Sequence, residues 1–167
     1  MNAAKKIERP NASRSAARLA AVQALYQMEL TGTDAESVID EFCQHRFREK
    51  AAKPLGEPDA EFFAVLVHGV PKRQVEIDRA LANGLSEDWK IQRIDSILRA
   101  ILRTAIYELI DCPDVPAKAV IDEYLNVAHA FFEGEEPAFV NALLDRVARE
   151  KRAGEFGGAP PHDQLQF

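Results

Sequence analysis

This chain has little of what most enzymes build chemistry from. Its two cysteines, Cys43 and Cys112, sit in no paired motif, which argues for a reducing cytoplasm and against a disulfide framework. Of the four histidines, none completes H-E-x-x-H and none lies three residues after a glutamate, so the bundle-type di-iron motif is missing. There is no G-x-x-x-x-G-K-[ST], no G-x-G-x-x-G and no G-x-S-x-G, the loops that cradle phosphates or aim a nucleophile. Asp122 and Glu123 are adjacent; on a helix they point about 100° apart and cannot share one site. No apolar run approaches the ~20 residues needed to span a membrane. The first twenty residues, MNAAKKIERPNASRSAARLA, lack the apolar middle of a signal peptide. No convincing period-two run predicts a strand. These absences leave an all-α binding protein with no catalysis, cofactor or metal.

What is present is ordinary in bulk and uneven in place. A chain of 167 residues, 47% apolar and 29% charged, fits one domain or two small ones, and buries roughly 70% of its unfolded surface. The net charge of −6 conceals an asymmetry: residues 1–18 hold Lys5, Lys6, Arg9, Arg14 and Arg18 against Glu8 alone. That is +4 at one end and −10 over the rest. An acidic body with a basic arm reads as a protein that touches an anion there, or as one with a solubilising tail.

The strongest pattern is Ile91–Ile110, IQRIDSILRAILRTAIYELI. Its apolar residues recur at steps of three and four, which predicts a twenty-residue central helix with Trp89 in the turn before it and Ser86 as its N-terminal signal. Before it, a first helix starts near Ser13 or Ser15 and runs to Leu30, with Leu19, Val22, Tyr26 and Leu30 on one face and Gly32 ending it. Asp34 caps a second helix to about Phe47, and Asp59 a third, with Pro71 forcing a kink or a fresh start. The following PKRQVEIDRALANGL continues as helix through Val75, Ile77 and Leu81 and stops at Asn83–Gly84. After the central helix come one beginning at Pro116 and ending at Gly134, and one beginning at Glu135–Pro137. The expectation is six or seven helices and no sheet. By region, 1–12 is a flexible basic arm, 13–84 an N-terminal helical subdomain, 85–151 a C-terminal one, and 152–167 a breaker-rich disordered tail.

Three segments together resemble the NusB family of transcription antitermination factors: AARLAAVQALYQMEL (16–30), RAILRTAIYELIDCPDVPAKAVIDEYLNVAHAF (99–131) and FVNALLDRVAR (139–149). Helical periodicity does not dictate Ala-Val-Gln-Ala-Leu-Tyr or Phe-Val-Asn at these places. The resemblance implies two small helical bundles. It implies binding of boxA-type single-stranded RNA together with NusE, a small-subunit ribosomal protein. It further implies assembly with NusA, NusG and RNA polymerase for read-through in ribosomal RNA operons, in the cytoplasm, with a homodimer as an alternative state.

Carried onto this chain, the resemblance places RNA contact at Arg14 and Arg18, four apart and so on one side of the first helix. At the start of that helix this chain has Ser15 and Ala16 where basic residues are common in the family, and Lys5, Lys6 and Arg9 on the arm compensate. Arginine offers a fork of donors for phosphate and a flat face for bases. Phe139 and Asn141 form a second RNA patch, with Phe139 rotated off the buried stripe and free to stack a base; Ala138 replaces a usual basic residue there. Candidates for meeting a protein partner are Tyr26, Arg99, Arg103 and Leu98, the last standing where an acidic residue is common. Tyr26 also reads as a satisfied phenol, and Glu108 as an ion-pair partner of Arg103. The competing reading is the RNA-targeting domain that precedes ribosomal RNA cytosine methyltransferases. A chain ending at residue 167 is expected to leave no room for that enzyme.

Overall fold

A computed structural model describes residues 10–49, 56–86 and 90–157. Among them are seven α-helices and no strand, as the missing period-two alternation predicts. The helices fall into two compact units, one through Lys72 and one from Arg73.

In the first unit, α1 (Pro10–Thr31) begins earlier than the sequence suggests, with proline at its first position, where the missing N–H costs nothing. It stops at Gly32, whose φ of 71° is the left-handed conformation glycine adopts without a Cβ penalty. The buried face is built on Ala17, Ala20, Ala21 and Ala24, which lets α1 and α3 approach closely. Of the expected Leu19–Val22–Tyr26–Leu30 face only Val22 is in the core: Leu30 is 62% exposed, and Leu19 and Tyr26 are half-buried. α2 (Ala35–Gln44) starts where Asp34 accepts from the Ser37 N–H at 3.3 Å. It gives way to a 3-10 turn over Arg46–Arg48 rather than continuing to Phe47. α3 (Ala60–Lys72) is capped by Asp59, which accepts from the Phe62 N–H at 3.0 Å. Pro71 lies in its last turn, and the chain restarts as α4 two residues past the end of α3.

The second unit groups α4 (Gln74–Gly84) with α5 (Ser96–Asp111), α6 (Ala117–Phe131) and α7 (Glu136–Lys151). The contacts thus divide the chain after Lys72, where the sequence pattern suggests 84, because Ile77, Ala80 and Leu81 bury against α5 and α7. Gly84 sits where a Cβ would come 3.3 Å from Leu143, so α4 meets α7 at a point with little room for a side chain. α5 touches α4, α6 and α7, and eleven of its sixteen residues are buried. It is shorter than the expected 91–110 helix. Asp95 accepts from the N–H groups of Ile97 and Leu98 and begins the helix there, while Ile91–Arg93 form a 3-10 turn. Residues 87–89, including Trp89, lie outside the described set.

The tail also departs from expectation as far as it is described. Ala153–Phe156 form a 3-10 turn, and Arg152 reaches back to donate to the carbonyls of Glu108, Leu109, Cys112 and Val115 at 2.7–3.2 Å. Glu155 pairs with Arg152 and accepts from the Ala117 N–H. One short segment thereby satisfies the end of α5 and the start of α6, whose N-cap, Pro116, makes no side-chain cap. Residues 158–167 are outside the described set.

Candidate nucleic-acid interface

The two arginines of α1 are brought together on a phenyl ring. Arg14 and Arg18 lie one helical turn apart, and their guanidinium carbons stand 4.6 Å and 5.2 Å from the centre of the Phe62 ring. Both distances are within cation–π range. Arg18 is only 4% exposed, whereas Arg14 is half-buried. The pair is therefore asymmetric: Arg14 is the member with surface to offer a ligand, and Arg18 is almost wholly enclosed. Ser15 is half-buried and Ala16 buried. Lys5, Lys6 and Arg9 lie outside the described residues.

Phe62 is the site residue that sequence reasoning does not single out. The available signal is the doublet Phe62–Phe63 just after the Asp59 cap. Adjacent helical residues point about 100° apart, so the two rings must face different neighbours. Phe63 faces the aromatic cluster, stacked on Phe42 at 5.3 Å and edge-on to Phe47 at 4.9 Å. Phe62 faces the arginines.

On another side of α1, Leu19, Gln23, Tyr26 and Leu30 follow steps of four, three and four, and so share a stripe. Gln23 and Leu30 are exposed, and Leu19 and Tyr26 half-buried. This stripe is a mixed apolar and polar surface of the kind that covers a protein partner.

In the second unit, Phe139 is half-buried, Asn141 and Ala138 are exposed, and Val140 is fully buried in the stripe predicted for it. Glu135 and Glu136 stand at the start of α7. Their carboxylates take the electropositive end of the helix, so this patch suits base stacking or amide hydrogen bonding better than phosphate binding.

The other predicted partner residues are spent inside the fold. Leu98 is buried. Arg99, 8% exposed, donates to the carbonyls of Ile91 and Ile94 at 3.1 Å and 2.8 Å and to Ser96. Arg103 grips Asp78 through two bonds of 2.8 Å and 3.0 Å. The buried Glu108 accepts from the Tyr124 hydroxyl, a partner that helical periodicity within α5 cannot reveal. Nearby, Asp111 accepts from Tyr107 and pairs with Arg73. Burial first, and then that bond to Asp111, push the Tyr107 hydroxyl up to about 12.

Among the described residues no cluster of His, Cys, Asp and Glu could hold a metal ion, and no helix is long and apolar enough to cross a membrane.

Known proteins share both sequence and fold with this chain. The NusB family model matches residues 15–149. The transcription antitermination protein NusB of Maricaulis maris is 52% identical over 144 residues, 86% of this chain and 90% of that protein. Its counterpart in Caulobacter vibrioides is 47% identical, covering 83% and 94%. The solved NusB of T. maritima superposes with a TM-score of 0.71 at 29% identity, covering 86% and 96%. A NusB solved with NusE and double-stranded RNA superposes at 0.69 and 22% identity, covering 83% and 97%, a likeness of fold. Relatives this similar over this much of their length carry the name of a regulatory protein rather than an enzyme, and the chain belongs to the NusB family of transcription antitermination proteins.

Proposed function

We propose that this antitermination factor binds boxA-type single-stranded RNA jointly with NusE, and acts with NusA, NusG and RNA polymerase to promote read-through in ribosomal RNA operons. The observation that carries the reading is the arginine pair over Phe62 at the start of α1, in a chain otherwise strongly acidic. An acidic body repels RNA at long range, so affinity must be concentrated where the positive charge is. RNA supplies phosphates for the fork of Arg14 and unstacked bases for Phe139. The Leu19–Gln23–Tyr26–Leu30 stripe on the same helix is the surface assigned to NusE. A protein held beside the arginines extends the RNA-binding surface and removes part of the cost of ordering the strand.

The test is an electrophoretic shift titration of single-stranded boxA RNA, a scrambled strand and a duplex, at two salt concentrations, with and without NusE. Tight binding is expected only for the boxA strand with NusE present, weakening as salt rises because phosphate contacts release counterions. An equal and weak response to boxA and scrambled strands with NusE added would sink the reading.

A further inference from the structure

We propose that Phe62 is a positioning residue for RNA contact: its ring holds the Arg14 guanidinium in the orientation that meets the strand. The inference rests on the RNA-binding reading above and names a residue that makes that site work without touching the ligand.

Three observations carry it. The ring stands beneath Arg14 and Arg18, at 4.6 Å and 5.2 Å from their guanidinium carbons. It is enclosed: Phe62 is 7% exposed, on a backbone held at the helix start by its N–H to Asp59 and by the next N–H to the Asp59 carbonyl at 2.9 Å. Its neighbour Phe63 anchors the same turn of α3 against Phe42 and Phe47. A ring enclosed in this way is a platform.

An arginine side chain loses much rotamer freedom when a ligand immobilises it. A guanidinium already resting against a ring has lost part of that freedom in advance. With the ring on one side, the half-buried Arg14 guanidinium keeps another side open, from which a phosphate can take two parallel bonds. Sharing one ring also brings the cationic heads of Arg14 and Arg18 together, concentrating positive charge at one place on α1. If Phe62 were core filling and nothing more, its loss would change stability and leave RNA affinity per folded molecule unchanged.

The experiment measures the dissociation constant of labelled boxA RNA with NusE present, together with the melting temperature, for the full chain and the variants Phe62→Leu, Phe62→Tyr, Arg14→Ala and the Arg14→Ala/Phe62→Leu double. Phe62→Leu is expected to weaken binding about three- to tenfold and Phe62→Tyr less than about twofold, since tyrosine keeps the ring. In the Arg14→Ala background, Phe62→Leu should cost less than about twofold, the non-additivity of two residues acting as one. Should Phe62→Leu melt below the assay temperature, Phe62→Met carries the same comparison. Equal binding by wild type and the ring-less variant overturns the inference alone, as does a loss of the same size in both backgrounds. Absence of RNA binding by the wild-type chain overturns this inference and the functional reading together.

Discussion

The arginines that tie down α5 in the second unit and the pair at the start of α1 in the first are held in different ways, and the difference separates fold from function. In the second unit, Arg99, Arg103 and Arg152 direct their N–H groups at backbone carbonyls and carboxylates of their own unit. Arg152 alone reaches four carbonyls at the end of α5 and the turn after it. In the first unit, Arg14 and Arg18 instead lie against a ring. A guanidinium whose donors are bonded within its unit stabilises that unit; Arg14, half-buried against a ring, is the one with surface left to meet a ligand. The central helix α5, which has the strongest sequence pattern, thus carries the fold, and the partner role expected of its arginines gives way to internal tasks.

Substitutions can break this comparison. Arg152→Ala should have the largest effect, because it leaves carbonyls at the end of α5 without their donor. A loss of about 2–4 kcal/mol is expected from charge-assisted bonds of this kind, read as a lower denaturation midpoint. Amide exchange should also speed up across 108–117, with RNA affinity of the folded protein unchanged. Arg103→Ala should cost less, about 1–3 kcal/mol, since Asp78 is partly open to water once its partner is gone. The smallest effect is set by pH. Glu155 titrates below the ordinary glutamate range, first through the Ala117 N–H and then through Arg152. Its depressed pKa means it adds stability above its unfolded value and loses that contribution as pH falls through the folded value. The stability difference between wild type and Glu155→Gln should therefore shrink between about pH 5 and pH 3. A difference that grows on acidification would show that the carboxylate does not hold α6 in this way.

Much of the architecture is legible because caps and breakers act locally. Asp34, Asp59 and Pro137 open their helices where their side-chain chemistry says they should. The start of α5 is harder to read: Ile91 and Ile94 continue the helical period backwards, and Asp95 looks like one more polar gap until its bonds to Ile97 and Leu98 show it to be the cap. The Arg152 segment is hidden for another reason. Gly154 and Gly157 read as breakers, while the stabilising bonds run to residues about forty positions earlier, beyond the reach of any local pattern. Leu30 misleads because alanine, not leucine, forms the buried face of α1. At the site, the family resemblance locates Arg14 and Arg18 but cannot separate them. Burial does: a carboxylate placed at Arg18 would be buried against Phe62 and endanger the helix packing, so charge reversal belongs at Arg14 alone.

The most direct measurement is a paired one on Arg14→Glu and Arg152→Ala: melting temperature, and affinity for boxA RNA with NusE present. Arg14→Glu should lose about tenfold or more in affinity, with a shallower salt dependence, and keep its melting temperature. Arg152→Ala should lose its melting temperature and keep its affinity. If Arg14→Glu instead melts early while its folded fraction binds RNA as well as wild type, the basic start of α1 is part of the fold and the assignment of RNA contact to it is wrong.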